Sequence, residues 1–152
     1  MYRLVFAVTV GLAGLLLSPL PRAGAEEALV VERGVEGLVA VPFQVRNASD
    51  RPLTCAAAIA HWYSADIGTV APGQRLDARL WSKPATGEVF LLNAQQDRMP
   101  IQSLWCGYAG ADVSTRSVIG LQRRAGAGEP AINLTCHVGK GAPALECQRA
   151  AE

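Results

Sequence analysis

The sequence predicts an all-β protein, either two packed sheets or a small barrel, with about seven or eight short strands. Two disulfides are expected to cross-link these strands. Three observations support this prediction. Apolar and polar residues alternate over short segments, which is the pattern of half-buried strands. Turn-forming residues interrupt the chain roughly every ten residues, as in sandwiches and barrels. Four cysteines follow a leader-like segment, which favours oxidised pairs over free thiols.

Residues 1–25 are predicted to form a cleaved signal peptide. A basic start at Arg3 precedes an uncharged apolar core at 4–17, and Ala23-Gly24-Ala25 supplies the small residues that a signal peptidase requires. This core is shorter than the ~20 residues that span a bilayer, so a retained anchor is the weaker alternative. We therefore expect a periplasmic or secreted protein without a stable membrane anchor after cleavage.

The charge balance argues against nucleic acid as a partner. The chain has 14 basic and 13 acidic residues, and cleavage would remove Arg3 and Arg22, which leaves a formal charge of −1. Nucleic-acid-binding proteins normally carry a basic excess or stripe. The remaining residues suffice for one domain with a core. We predict that domain at 38–152, after a loose lead-in at 26–37.

Alternating segments and the turns between them predict where the strands lie along the chain. The first predicted strand, 38–46, places Val39, Val41, Phe43 and Val45 on one face. Pro42 cannot donate to a ladder, which suggests an edge strand or a bulge. Later strands are predicted at 74–81, 88–92, 100–106, 113–121, 131–138 and 144–148. Between them we expect turns at 66–68, 71–73 and 83–87, a polar loop at 93–98 and a flexible loop at 125–130.

The apolar run 53–64 is predicted to be a buried central strand. A helix is the alternative, because Ser49 or Asp50 could cap it and its alanines favour helix. The run is short, however, and both neighbours have the strand pattern. As a strand it is apolar on both faces, which is expected of a strand covered on both sides.

The four cysteines are predicted to pair as Cys55–Cys106 and Cys136–Cys147, one of three possible connectivities. The first pair would join strands distant in sequence, and the second would close a hairpin-sized loop. A copper or zinc site that uses Cys55, His61, Cys136 and His137 is the alternative. The chain has no Cys-x-x-Cys pair, so we expect neither a metal nor another cofactor.

The order of elements resembles that of bacterial immunoglobulin-like modules. Phe43-Gln44-Val45-Arg46-Asn47 ends a strand, a polar turn and a cysteine-bearing strand follow, and Pro72-Gly73 precedes an alternating strand. The resemblance implies an antiparallel immunoglobulin-like sandwich. A shared fold does not establish a function.

No catalytic residue is predicted. His61, with Asp66 to orient it, is the best candidate for a general base. However, the sequence has neither a Gly-x-Ser-x-Gly elbow nor a cysteine expected to be free as a nucleophile. A small periplasmic hydrolase or metal-dependent enzyme using His61 is therefore an alternative. An inhibitor of an exported enzyme, presenting the loop 93–98, is another.

The aromatic residues are the most suggestive candidates for binding. Each tryptophan on its own is expected to pack in the core, and the alternative is that Trp62 and Trp81 form an exposed platform for a glycan, a peptide or a protein. Trp105 is expected to pack on the disulfide at Cys106. The possible binding residues are His61, Trp62, Tyr63, Trp81 and Trp105. We accordingly expect an exported, non-catalytic binding or accessory protein whose partner is a protein, a small molecule or a glycan.

Overall fold

The computed structural model describes residues 31–60, 63–110, 113–140 and 144–150. Residues 31–152 form one compact unit, and their described part contains ten strands, a short 3₁₀ helix and no α-helix. The all-β prediction is therefore confirmed, with more strands than the seven or eight expected. The predicted signal peptide lies outside the described residues.

The strands form two sheets whose inner faces enclose one hydrophobic core. One sheet has six strands in the order β10-β9-β1-β4-β5-β6, and the other has four in the order β3-β2-β7-β8. Phe43 and Leu80 from the larger sheet and Leu53 and Leu104 from the smaller are fully buried in that core. The strands are β1 (Val39–Asn47), β2 (Leu53–Ala60), β3 (Tyr63–Val70), β4 (Arg75–Lys83), β5 (Glu88–Leu92), β6 (Arg98–Pro100), β7 (Ser103–Tyr108), β8 (Ser117–Ile119), β9 (Ile132–Val138) and β10 (Leu145–Arg149).

The expectation of a purely antiparallel arrangement is wrong at one pairing. β1 runs parallel to β9, with Phe43 opposite Ile132, while the other named pairs are antiparallel. A parallel pair requires a long connection. Here the chain visits both sheets between the two strands. Pro42, expected at an edge, lies in an inner strand but just before the first residue that pairs with β9.

The run 53–64 is extended but is not one strand. β2 ends at Ala60, and the chain returns as β3 from Tyr63, antiparallel to β2. β2 is central, between β3 and β7. The predicted turn at 66–68 lies inside β3 instead. There the pairing shifts so that Ile67 has no partner in β2, and a glycine next to such a bulge is common in strands.

Three other segments differ from their predictions. The polar loop 93–98 ends in the short strand β6, and the strand expected at 113–121 is a 3₁₀ helix, Val113–Thr115, followed by β8. The segment 125–130 has no strand, as expected, but it is anchored. Gly126 donates to the Pro84 carbonyl at 2.7 Å, and the Glu129 backbone donates to Ser82 Oγ at 3.0 Å.

Both predicted disulfides are present, Cys55–Cys106 and Cys136–Cys147. Each joins residues directly opposite each other in neighbouring antiparallel strands. One bridge therefore lies within each sheet, whereas the bridge of antibody domains joins the two sheets. Among the described residues, none forms a helix long and apolar enough to cross a membrane.

The end of the predicted lead-in, residues 31–37, is held against β6 by Arg98. The Arg98 guanidinium donates to the carbonyls of Gly34 at 2.9 Å and Glu36 at 2.6 Å, and contacts the Glu32 carboxylate at 2.7 Å. The backbone of Arg98 also donates to the Glu32 carbonyl. Only 9 % of the Arg98 side chain is exposed, so these contacts fix the path of the segment.

Candidate functional site

A row of four apolar residues crosses the outer face of the six-stranded sheet. Ala40 of β1 lies opposite Trp81 of β4, Trp81 opposite Phe90 of β5, and Phe90 opposite Pro100 of β6. Because side chains alternate along a strand, these four point away from the core that Val41 and Leu80 enter. We call this set the Trp81 row.

The Trp81 row is only partly open to solvent. Ala40 and Pro100 are exposed and Trp81 is half-buried. Phe90 is 6 % exposed, yet it is not part of the core cluster. The Glu32 carboxylate contacts Lys83 at 3.4 Å and Arg98 at 2.7 Å, and these two side chains lie on either side of Phe90 on this face, so the segment 31–37 covers Phe90. Aromatic residues in such a row are the usual anchors of binding surfaces.

Positive charge lies beside the Trp81 row. The Arg79 guanidinium carbon is 5.9 Å from the centre of the Trp81 ring, within reach of a cation–π contact. Arg46 and Arg75 face each other three outward rows away from the Trp81 row, and Arg75 pairs with Asp77 at 2.9 Å. Arg46 and Arg79 pair with no carboxylate among the described residues. This part of the face therefore has an excess of two positive charges.

A second tryptophan occupies the outer face of the other sheet. Trp105 of β7 lies between Ala56 of β2 and Val118 of β8, which is 74 % exposed. The Arg116 guanidinium carbon stacks 3.7 Å from the centre of the Trp105 ring, so the cation already covers one side of this ring. The two sheets thus each carry an outward tryptophan beside an arginine, and the contact is closer on the smaller sheet.

The predicted binding residues do not form one cluster. Trp81 and Trp105 lie on opposite sheets, and Tyr63 begins β3 with half of its surface exposed. His61 and Trp62 lie outside the described residues. The expectation that Trp105 packs on the disulfide is wrong, because adjacent strand residues point to opposite faces and Cys106 points into the core.

The described acidic and histidine side chains show no catalytic arrangement. Asp66 is exposed on the outer face of the smaller sheet, opposite Ala56. His137 lies opposite Glu146 on the outside of β9 and β10, with 3.7 Å between imidazole nitrogen and carboxylate oxygen. The carboxylates of Glu32 and Asp97, in the contact between the lead-in and β6, have lowered pKa values. Hydrogen bonds from Lys83 to Glu32 and from Asn93 to Asp97 are the main causes.

A cavity of about 280 Å³ opens where β9 and β10 meet the loop after β8. Arg149 lines it and donates to the Gly120 carbonyl at 2.7 Å. Arg149 also lies 3.7 Å from the Glu129 carboxylate, whose side chain is 0 % exposed. The Glu129 oxygens accept the backbone N–H groups of Gln122 and Arg123, both at 2.9 Å. The charges of Glu129 and Arg149 therefore compensate each other. The hydrogen bonds to Glu129 hold the loop after β8 in place.

One group of described side chains has the composition of a metal site. The sulfurs of Cys106, Cys136 and Cys147 all lie within 4.8 Å of one another. All three belong to the disulfides, and a thiolate rather than a disulfide sulfur is the usual metal ligand. The short distances between these sulfurs show that the two disulfides, one from each sheet, lie next to each other in the core.

No protein-family model, curated protein or solved structure matches this chain. Sequence reasoning identified Trp81 but missed Ala40, Phe90 and Pro100 as its neighbours. Their alternation in each strand was visible, but the pairing register that aligns them across four strands was not. It also missed Arg79. The alternation placed this side chain on the outer face, but it did not indicate that Arg79 would pair with no carboxylate among the described residues.

Proposed function

We propose that the protein is an exported, non-catalytic β-sandwich module that binds an acidic glycan on the outer face of its six-stranded sheet. The observation that carries this proposal is the Trp81 row with Arg79 beside it, an arginine that pairs with no carboxylate among the described residues. The half-buried Trp81 supplies a surface for the apolar face of a sugar ring, and Arg79 supplies a charge for its carboxylate.

The flat surface and the spacing of the cations favour an extended polymer. Residues on one face of a strand recur about every 7 Å, so Arg79, Asp77 and Arg75 follow Trp81 in that order along the outer face of β4, with Asp77 paired to Arg75. Arg46 lies directly beside Arg75. A chain with a carboxylate on successive sugars would place its charges along this line. Several weak, solvent-exposed contacts of this kind give salt-dependent binding.

The exported location and the immunoglobulin-like topology are parts of the same proposal. The leader-like segment 1–25 and the two disulfides support an oxidising compartment. Two packed sheets whose chain crosses repeatedly between them support the immunoglobulin-like class. The bridge within each sheet is a departure from antibody domains.

Native gel electrophoresis through gels that contain alginate, an acidic polysaccharide, tests the proposed binding. We expect alginate to retard the protein and dextran, which is neutral, to leave its mobility unchanged. Trp81→Ala should weaken binding roughly tenfold. Arg79→Ala should weaken it by less, and salt should weaken it further.

Trp105→Ala is the matched control, because it removes an outward tryptophan with a neighbouring arginine from the other sheet. Its mobility in alginate should equal that of the unchanged protein, once thermal unfolding shows that each variant is folded. Equal losses for the two tryptophan variants would refute the proposed site. Equal retardation by poly-glutamate would show that charge alone is recognised and would refute a glycan site.

A further inference from the structure

The two disulfides are close enough for a thiolate released from one bridge to attack the other. Cys106 belongs to the bridge of the smaller sheet, and its sulfur lies within 4.8 Å of the sulfurs of both Cys136 and Cys147 in the larger sheet. A free thiolate attacks a disulfide sulfur directly during exchange. A small side-chain movement within the core would therefore bring the sulfur of Cys106 to bonding distance from a sulfur of the other bridge.

The bridges differ in their access to solvent. Cys55, Cys106 and Cys136 are fully buried, whereas Cys147 is half-buried. Cys147 lies in β10, the edge strand of its sheet. An external reductant can therefore reach the bridge of the larger sheet at Cys147, while the folded protein shields the Cys55–Cys106 bridge.

We propose that the four cysteines form a thiol–disulfide exchange centre, in which a dithiol reductant that attacks Cys147 also opens the buried Cys55–Cys106 bridge. The inference is independent of glycan binding, since it uses only core sulfurs. Its product is a bridge between the two sheets, from Cys106 to a cysteine of β9 or β10, in place of a bridge within each sheet.

The chemistry balances in three steps. A thiolate of the reductant attacks Cys147, forms a mixed disulfide and releases Cys136 as a thiolate. Cys136 attacks Cys106, which forms the Cys106–Cys136 bond and releases Cys55, and Cys55 takes up a proton. The second thiol of the reductant then attacks the mixed disulfide and frees Cys147. One dithiol becomes a disulfide, and the protein retains one bridge and gains two thiols.

The substitution Cys147→Ser tests the exchange without any reductant. It leaves Cys136 as a free thiol beside the Cys55–Cys106 bridge, so the free thiol should be shared between Cys136 and Cys55. After equilibration at pH 8, unfolding and alkylation in acidic guanidinium chloride, which halts the exchange, followed by peptide mass spectrometry, should find label on both Cys55 and Cys136 and a bridge from Cys106 to Cys136. Label on Cys136 alone, with Cys55–Cys106 intact, would overturn the proposal.

Kinetics of reduction by dithiothreitol provide the second test. In the unchanged protein, the Cys55–Cys106 bridge should be lost roughly tenfold faster than in a folded Cys136→Ser, Cys147→Ser double variant, which lacks the relay. In 6 M guanidinium chloride the two rates should converge, because unfolding removes both the shielding and the proximity. Equal rates in the two folded proteins would contradict a relay.

Discussion

At the scale of single residues, the most constrained charge is the carboxylate of Glu129. Its side chain is completely buried, and it accepts two backbone N–H groups while facing Arg149. A buried charge without such partners would be costly. The sequence placed Glu129 in a flexible loop, because the partners come from residues whose positions depend on the fold and not on neighbouring sequence.

Glu129→Gln should destabilise the protein by about 1–3 kcal/mol, because an amide can accept only one of the two N–H groups and leaves Arg149 without its anion. Urea unfolding followed by circular dichroism measures the change. Glu36→Gln, at an exposed carboxylate, is the control and should stay within about 0.5 kcal/mol of the unchanged protein. Equal stability of the two variants would show that the Glu129 contacts are dispensable.

At the scale of elements, alternation located most strands but not their pairing. β5 was predicted at its observed bounds, 88–92, and β1, β4, β9 and β10 within two residues at each end. The hairpin of β2 and β3 was missed because no glycine, proline or asparagine separates the two strands. The turn signal at Gly68 marks a bulge instead. A bulge and a turn use similar residues, so sequence alone does not distinguish them.

Arg98 of β6 is the residue that holds the segment 31–37 against the six-stranded sheet. Arg98→Ala removes the hydrogen bonds to Gly34 and Glu36 and the contact with Glu32, so that segment should lose protection. Hydrogen exchange measured by mass spectrometry should show faster exchange in 31–37 and unchanged exchange in β1 and β4. Arg46→Ala, at an exposed arginine that has no ion pair within the described part of the chain, should leave the segment unchanged. Unaltered exchange in both variants would contradict the anchoring role.

The same contact should weaken in acid. The pKa values of Glu32 and Asp97 lie below their ordinary values of 4.5 and 3.8, so folding favours their charged forms. That stabilisation is present above the ordinary pKa values and is lost as the pH falls through the lowered ones. Hydrogen exchange of 31–37, corrected for intrinsic rates, should therefore accelerate below about pH 4. A rate independent of pH between 7 and 3 would contradict this assignment.

At the scale of the whole molecule, cysteine count and export signals predicted both bridges. They did not predict that the bridges lie within the sheets and meet across the core, because that depends on the register of two separate strand pairs. The candidate site was predicted only in its central residue, Trp81. The all-β class rests on local patterns, whereas the site depends on contacts distant in sequence.

The bridges should contribute unequally to stability. Cys55–Cys106 spans 51 residues and Cys136–Cys147 spans 11. The loop-entropy model gives the longer span an advantage of about 1.4 kcal/mol. Urea unfolding should therefore show that Cys55→Ala with Cys106→Ala costs more than Cys136→Ala with Cys147→Ala. The reverse order would show that local packing outweighs loop entropy.

The central claim, that the Trp81 row binds an acidic glycan, is tested most directly by titrating ¹⁵N-labelled protein with alginate oligosaccharides and following its amide NMR signals. We predict saturable shifts at Ala40, Arg79, Trp81 and Phe90, including the Trp81 indole N–H, and constant signals at Trp105 and Val118. Shifts centred on Trp105, or no saturable shifts on either sheet, would contradict the claim.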